Sequence, residues 1–341
     1  MTDTTIITRQ RDFEESWRAA MADLVTSGDT LLQLLDLTPE AVGWSSAAAR
    51  DFPLRVPRSF VARMQPGDPG DPLLRQVLAA TAETLQVPGF GADPTGEQGT
   101  ANPRRGIIHK YHGRLLLVVS GSCAINCRYC FRRHFPYADN QNSRRDWEQA
   151  LGYIAADPSL QEVILSGGDP LVASDAALAE LTAGIAAIPH VRRLRVHTRL
   201  PVVIPERVTD GLLRALTGSR LPCVLVLHSN HHQELDAAVA AACRKMREAN
   251  ITLLNQAVLL RGVNDNLDSQ VALSEQLFEV GVLPYYLHLL DRVAGASHFE
   301  VPETEALALH ETMAARLPGY LLPRLVREVA GAPAKLPVVS G

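Results

Sequence analysis

Residues 114 to 134 read RLLLVVSGSCAINCRYCFRRH. The apolar run 115–119 has the composition of a buried strand, and Ser120, Gly121 and Ser122 then break it before Cys123, Cys127 and Cys130 arrive in the spacing C-x3-C-x2-C. Three of the chain's five cysteines thus fall within eight residues at the C-terminal end of a predicted strand, where α/β folds carry their chemistry. Soft thiolates so spaced suit a compact metal centre. Two readings follow from spacing alone: a zinc site completed by His134, or an iron-sulfur cube with three protein ligands and one open iron.

Outward from this stretch the pattern repeats. Apolar runs at 115–119, 162–166, 193–197, 223–228, 251–260 and 282–290 alternate with amphipathic segments such as RDWEQALGYIAA and NLDSQVALSEQLFEVG. Strands without polar alternation, separated by helices, predict a parallel sheet covered on its outer face. Six βα units are two short of a closed eight-stranded barrel, so the expected fold is α/β, a partial (β/α)6 TIM-like barrel whose strand C-terminal ends form the working face. Upstream, residues 1–105 read as a helical lead-in ending in PGFGADPTGEQGTANPRRG (88–106), a stretch with turn chemistry that is either a linker or an irregular loop. The expected division is 1–105 extension, 106–300 barrel and 301–341 a C-terminal helix with a cofactor-binding segment.

Composition narrows the function classes. With 341 residues, 46% of them hydrophobic, the chain can bury a large core. A formal charge of −4 gives no global attraction for nucleic acid or anionic membrane. The charged start MTDTTIITRQRDFEES lacks the apolar region of a secretory signal, and no run reaches the ~18 apolar residues of a spanning helix, so a cytoplasmic protein with metal or redox chemistry is expected rather than a disulfide framework.

The cysteine motif resembles that of the radical S-adenosylmethionine enzymes, and LSGGDPL (165–171), one βα unit later, is similar to their Gly-Gly-acid motif. Glycines let a ligand approach the backbone, and Asp169 can accept from an ammonium. The stretches 110–137, 163–172, 193–209, 253–266 and 283–299 resemble the lysine 2,3-aminomutases, most closely the branch that makes (R)-β-lysine for elongation factor P. This resemblance implies a [4Fe-4S] cluster on Cys123, Cys127 and Cys130. It implies S-adenosyl-L-methionine at Ser166, Gly167, Gly168 and Asp169, with His228 and Gln256 contacting the nucleoside or cofactor. Pyridoxal phosphate would join Lys335, in EVAGAPAKLPV, as an imine, its phosphate near Lys110, Tyr111 and Arg114. Arg132 would clamp the substrate carboxylate, and Asp291 and Glu328 its distant ammonium. Glu328 stands where free-lysine enzymes usually carry Asp, and Ala and Pro stand near Lys335 where relatives carry more glycine.

The implied activity is L-lysine 2,3-aminomutation. A flavodoxin or ferredoxin would supply the electron, and a separate ligase would attach the product to elongation factor P. A metabolic amino acid 2,3-aminomutase is the enzymatic alternative, and a zinc-stabilised nucleic-acid-binding module using RYCFRRH is the alternative from another class. Clostridial-type relatives continue into a zinc-binding tail, whereas here six residues follow Lys335, so no structural zinc is expected. Cys223 and Cys243 read as buried, inert thiols.

Overall fold

The computed structural model describes residues 16–140 and 144–339; the first fifteen residues of the expected lead-in lie outside them. Six parallel strands appear at the expected places: β2 (Arg114–Ser120), β3 (Glu162–Gly167), β4 (Arg193–Thr198), β5 (Cys223–His228), β6 (Thr252–Val258) and β7 (Leu283–His288). They are linked by helices α1 (Arg144–Ala156), α2 (Asp175–Ala186), α3 (Asp210–Thr217), α4 (Ala237–Glu248) and α5 (Leu267–Glu279), and α6 (Glu303–Arg316) follows β7. Each of α2 to α5 starts at a side-chain cap, Ser174, Thr209, Asp236 and Asn266, which satisfies a free N–H of the first turn.

The sheet is wider than the six expected units. At one edge β1 (Ile107–Tyr111) runs antiparallel to β2 through the two-residue turn His112–Gly113, where Gly113 takes a φ of 75°. At the other, β8 (Arg324–Arg327) adds parallel to β7, and the exposed two-residue β9 (Leu336–Pro337) closes back antiparallel on β8. The nine strands run in the order β9-β8-β7-β6-β5-β4-β3-β2-β1 without the two ends pairing, so the barrel is open. Four-residue and two-residue strands are too short to show periodicity, which is why β8 and β9 escaped the sequence reading.

Alternation along the strands sorts the side chains into two layers. Leu117, Val163, Leu165, Leu194, Val196, Leu225 and Leu227 are buried against the helices, which return Leu181, Ile185, Leu212, Val239 and Met246 to form the main core. Cys223 and Cys243 lie in this layer, their thiols pushed up to about 12 by burial. On the opposite face Arg114, Leu116, Ile164, Ser166, Arg195, His197, His228, Gln256, Tyr286 and His288 line the barrel interior. The lead-in is helical but broken into short pieces, Gly28–Leu34, Ser46–Asp51, Arg58–Val61 and Pro72–Arg75 among them. It wraps the end of the barrel where the cysteine loop emerges.

Candidate active site

All sixteen residues singled out from the sequence line one interior cavity of about 630 Å³. Cys123, Cys127 and Cys130 lie at the end where β2 emerges. Burial raises the Cys123 thiol well above its ordinary value, with Asp169 and the two other cysteines adding to the shift, and burial with Cys127 pushes Cys130 up to about 11. The shifts of Cys123 and Cys130 disfavour their thiolates in the free protein, and a bound cationic centre would offset that cost. Among the described residues no three His, Cys, Asp or Glu side chains gather about one point to hold a single ion. His134 does not line the cavity; it is exposed, its Nε2 3.2 Å from the Ala294 carbonyl oxygen. Three thiols lining one cavity, with His134 outside it, fit a cluster better than the Cys3His zinc site.

The lead-in holds this loop in place. Asn126 N–H donates to the Arg55 carbonyl at 2.9 Å and Arg128 N–H to that of Gln76 at 2.8 Å. The Arg128 guanidinium, 0% exposed, is bidentate to Glu83 at 2.8 and 2.5 Å, and Arg133 reaches the same carboxylate at 3.0 Å. These arginines are internal braces. The nucleic-acid reading of RYCFRRH fails because its first arginine is wholly buried, and Arg132 and Arg133 are paired with acids.

The turn after β3 is stitched to the same loop. Gly168 N–H donates to the Ser120 carbonyl at 2.7 Å and Asp169 N–H to that of Ser122 at 2.9 Å. A Cβ on Gly167 would lie 2.5 Å from the Ser120 oxygen, and one on Gly168 2.5 Å from the Ser122 oxygen, so both positions require glycine for backbone approach. Asp169 is engaged within the fold. Its Oδ1 accepts from Leu171 N–H (3.0 Å) and Thr198 Oγ1 (2.7 Å), and its Oδ2 from Arg199 N–H (2.8 Å) and Leu200 N–H (3.0 Å), leaving no acceptor for an ammonium. Burial raises this carboxyl and the donors partly offset it; the residue ties β3 to β4.

Arg132 is 8% exposed and its Nε/Nη2 edge is taken by Glu97 at 2.6 and 2.8 Å. Against the cost of burial, Glu97 holds the guanidinium firmly charged. Nη1 donates to Ser166 Oγ at 3.1 Å and to the Gly167 carbonyl at 3.3 Å, so of the five N–H donors one on Nη2 remains undirected. Glu97 belongs to the stretch read as a linker or irregular loop; nothing in its local sequence marks it.

Deeper in the barrel, Glu328 lies immediately after β8 between two ammonium groups, Lys335 Nζ at 2.5 Å and Lys110 Nζ, the latter also donating to the Thr95 carbonyl at 2.9 Å. Burial alone would raise the Glu328 carboxyl, but Lys335 and Lys110 hold it well below the usual carboxylate range. Burial and Glu328 push the Tyr111 phenol up, and the Arg114 guanidinium lies 4.7 Å over the Tyr111 ring. The Asp291 carboxyl has no hydrogen-bond or ion-pair partner among the described residues; burial, then the like charge of Glu328, push it up to about 7. Lys110, Tyr111 and Arg114 line the cavity from the end of β1 and the start of β2, the strand entrance opposite the cysteine loop.

His228 and Gln256 face the cavity from adjacent strands, paired in register. Burial and Arg199 push His228 down to about 3, so it is a neutral imidazole, 3.0 Å from the Tyr129 hydroxyl. Burial likewise lowers His197 and His288, which the sequence reading missed; both lie within the field of Lys335. A polar residue every second position in an apolar strand, as in RLRVHT, was the available signal for Arg195 and His197.

Residues 117–268 match the Radical SAM superfamily. The L-lysine 2,3-aminomutase of Escherichia coli (strain K12) is 50% identical over 334 residues, covering 98% of this chain and 97% of that protein. The enzyme of the same name from Haemophilus influenzae is 48% identical, covering 94% and 95%, and that from Buchnera aphidicola 41% identical, covering 96% and 96%. With the cysteine loop, the Gly-Gly turn and the lysine-rich interior all in one barrel, this chain belongs to the L-lysine 2,3-aminomutase family, radical S-adenosylmethionine isomerases that work with a [4Fe-4S] cluster, S-adenosylmethionine and pyridoxal phosphate.

Proposed function

We propose that the protein converts L-lysine to (R)-β-lysine, and that a separate ligase attaches this product to elongation factor P. The observation that carries the reading is a single cavity with three cysteines at one end and a lysine, two carboxylates and a buried arginine further in. When bound, the cluster supplies one electron, S-adenosylmethionine a 5′-deoxyadenosyl radical, and pyridoxal phosphate an electron-delocalising partner for the migrating nitrogen.

The chain's own residues do the rest. Cys123, Cys127 and Cys130 hold the cluster, and Ser166, Gly167 and Gly168 offer backbone and hydroxyl groups beside it, with His228 and Gln256 across the cavity. Lys335 carries pyridoxal phosphate on its ε-amine. In the free protein that amine donates to Glu328, and with the cofactor held on Lys335 the Glu328 carboxylate would be available to a substrate cation. Lys110 and Arg114 neutralise a phosphate. Arg132 holds the substrate carboxylate through its remaining Nη2 N–H, with Nη1 able to turn to it from Ser166 and Gly167, and Asp291, a carboxylate without an ion-pair partner among the described residues, receives the ε-ammonium. The described residues of the 1–105 extension brace the cysteine loop, those of 106–300 form the barrel, and those of 301–341 bring Glu328 and Lys335 onto it.

No described helix is long and apolar enough to cross a membrane; the enzyme works in the cytoplasm with a flavodoxin or ferredoxin as reductant. The elongation factor P branch rests on the sequence resemblance and on Glu328 in place of Asp. The test is product analysis under anaerobic conditions with lysine, both organic cofactors and a strong reductant. (R)-β-lysine is expected, and borohydride should fix the pyridoxyl group to Lys335. No β-lysine from protein with full iron, sulfide and pyridoxal content would overturn the reading, and β-lysine that the ligase does not accept would favour the metabolic alternative.

A further inference from the structure

Cys127 is touched by a cation from outside its own loop. Arg199, one residue past β4, places Nη1 2.7 Å from Cys127 Sγ and 2.8 Å from the Tyr129 hydroxyl, while Nη2 donates to Gln76 Oε1 at 2.7 Å and to Glu234 Oε2 at 2.9 Å. The arginine is 5% exposed and Glu234 0%.

Both ends of Arg199 are pinned. Its backbone N–H donates to Asp169 at 2.8 Å. At the head, Glu234 is itself fixed by the N–H groups of Asn230 (2.9 Å) and His231 (3.0 Å), and the Tyr129 hydroxyl by the Asn230 side-chain amide at 2.7 Å. The guanidinium cannot swing away from the sulfur without breaking this network. Nothing in the handling of lysine calls for a buried cation here, since Glu234 neutralises it away from the Lys335 end of the cavity.

We propose that Arg199 is a positioning residue for the electron-transfer step, raising the reduction potential of the cluster through an N–H hydrogen bond to the Cys127 sulfur. The inference rests on the assignment of Cys127 as a cluster ligand. One electron from an external low-potential reductant takes the cluster from the 2+ to the 1+ state, adding one negative charge to the iron-sulfur unit. A fixed donor on a ligating sulfur stabilises the added charge more than the oxidised state, and low local dielectric enlarges the effect. Arginine keeps its proton throughout, so no proton accompanies the electron at this residue. The consequence is a cluster that physiological reductants can fill.

The experiment uses the full chain, reconstituted anaerobically without S-adenosylmethionine. Iron, sulfide and the electron paramagnetic resonance of the reduced state establish the cluster first; a wild type without it overturns the cysteine assignment rather than the role of Arg199. Midpoint potentials are then compared for Glu234→Gln and for Arg199→Gln combined with Glu234→Gln, which leaves the buried site neutral. At a poise that half-reduces the single variant, the ratio of reduced to oxidised cluster in the double variant should be about tenfold lower, ~59 mV for one electron, with the same difference at pH 7 and pH 9. A change below twofold in a fully loaded double variant overturns the proposal. Should the double variant fail to retain its cluster, wild type grown on arginine with 15N in the guanidinium gives the second readout. Pulsed resonance of its reduced cluster should show coupling to 15N, and absence of that coupling equally overturns the proposal.

Discussion

Asp291 and Glu328 are two carboxylates in one cavity whose charges are set in opposite senses, Glu328 ionised between two lysines and Asp291 poised near neutrality. Below pH 7 Asp291 is protonated and offers an ammonium no counter-charge; above it, the carboxylate is ionised. The KM for lysine should therefore fall as pH rises from 6 to 8, and Asp291→Asn should erase that limb while lowering kcat/KM by ~30-fold to several thousand-fold, the range for losing one partner of a desolvated ion pair. Initial rates at matched cluster and pyridoxal content check both effects, and an unchanged pH profile in the variant places the acid outside the substrate site. Glu97 makes a different prediction. Removing its charge leaves the Arg132 guanidinium buried and uncompensated, so Glu97→Gln should cost about 3–5 kcal/mol in urea unfolding. Glu97→Asp should recover much of the loss, because the shorter acid keeps the charge.

At the scale of elements, the β3 turn and the cysteine loop behave as one piece because their backbones touch. Two hydrogen bonds join them, and the glycines leave no room for a side chain. Gly168→Ala would drive a methyl into the Ser122 carbonyl 2.5 Å away, and since backbone is the obstacle, the cysteine loop itself must shift. The expected result is a folded protein, normal by far-ultraviolet circular dichroism, that retains well under half the iron and sulfide of wild type. Full retention would show that loop and turn move independently. The same contact explains why LSGGDPL follows the cysteines by one βα unit: parallel neighbours place successive strand ends side by side.

Over the whole molecule, the lead-in and the C-terminal segment reach the barrel from opposite ends of the sequence and complete it. Glu83 of the lead-in carries two buried arginines of the cysteine loop, Arg128 and Arg133. Glu83→Gln should therefore lower global stability by about 3–5 kcal/mol, read as a fall in the urea midpoint, and should weaken cluster retention in the same preparation. A loss of stability with intact iron content would separate bracing from loading.

Periodicity and motif spacing determined much of this protein. The six strands of the parallel core and their helices were legible because a buried parallel strand must be apolar and a helix must be capped, and the three cysteines because C-x3-C-x2-C is rare enough to be specific; the other cavity residues singled out, such as Lys335, Arg132 and Asp291, came from the family resemblance. What the tertiary structure alone decided is which charges meet. Glu97 with Arg132, Glu83 with Arg128, Glu328 with Lys110, and Arg199 against Cys127 are pairs separated by 35 to 218 residues. A charged residue in a turn looks the same in sequence whether water or a buried partner receives it. Only closure of the barrel removes the water, and that loss makes each pairing obligatory.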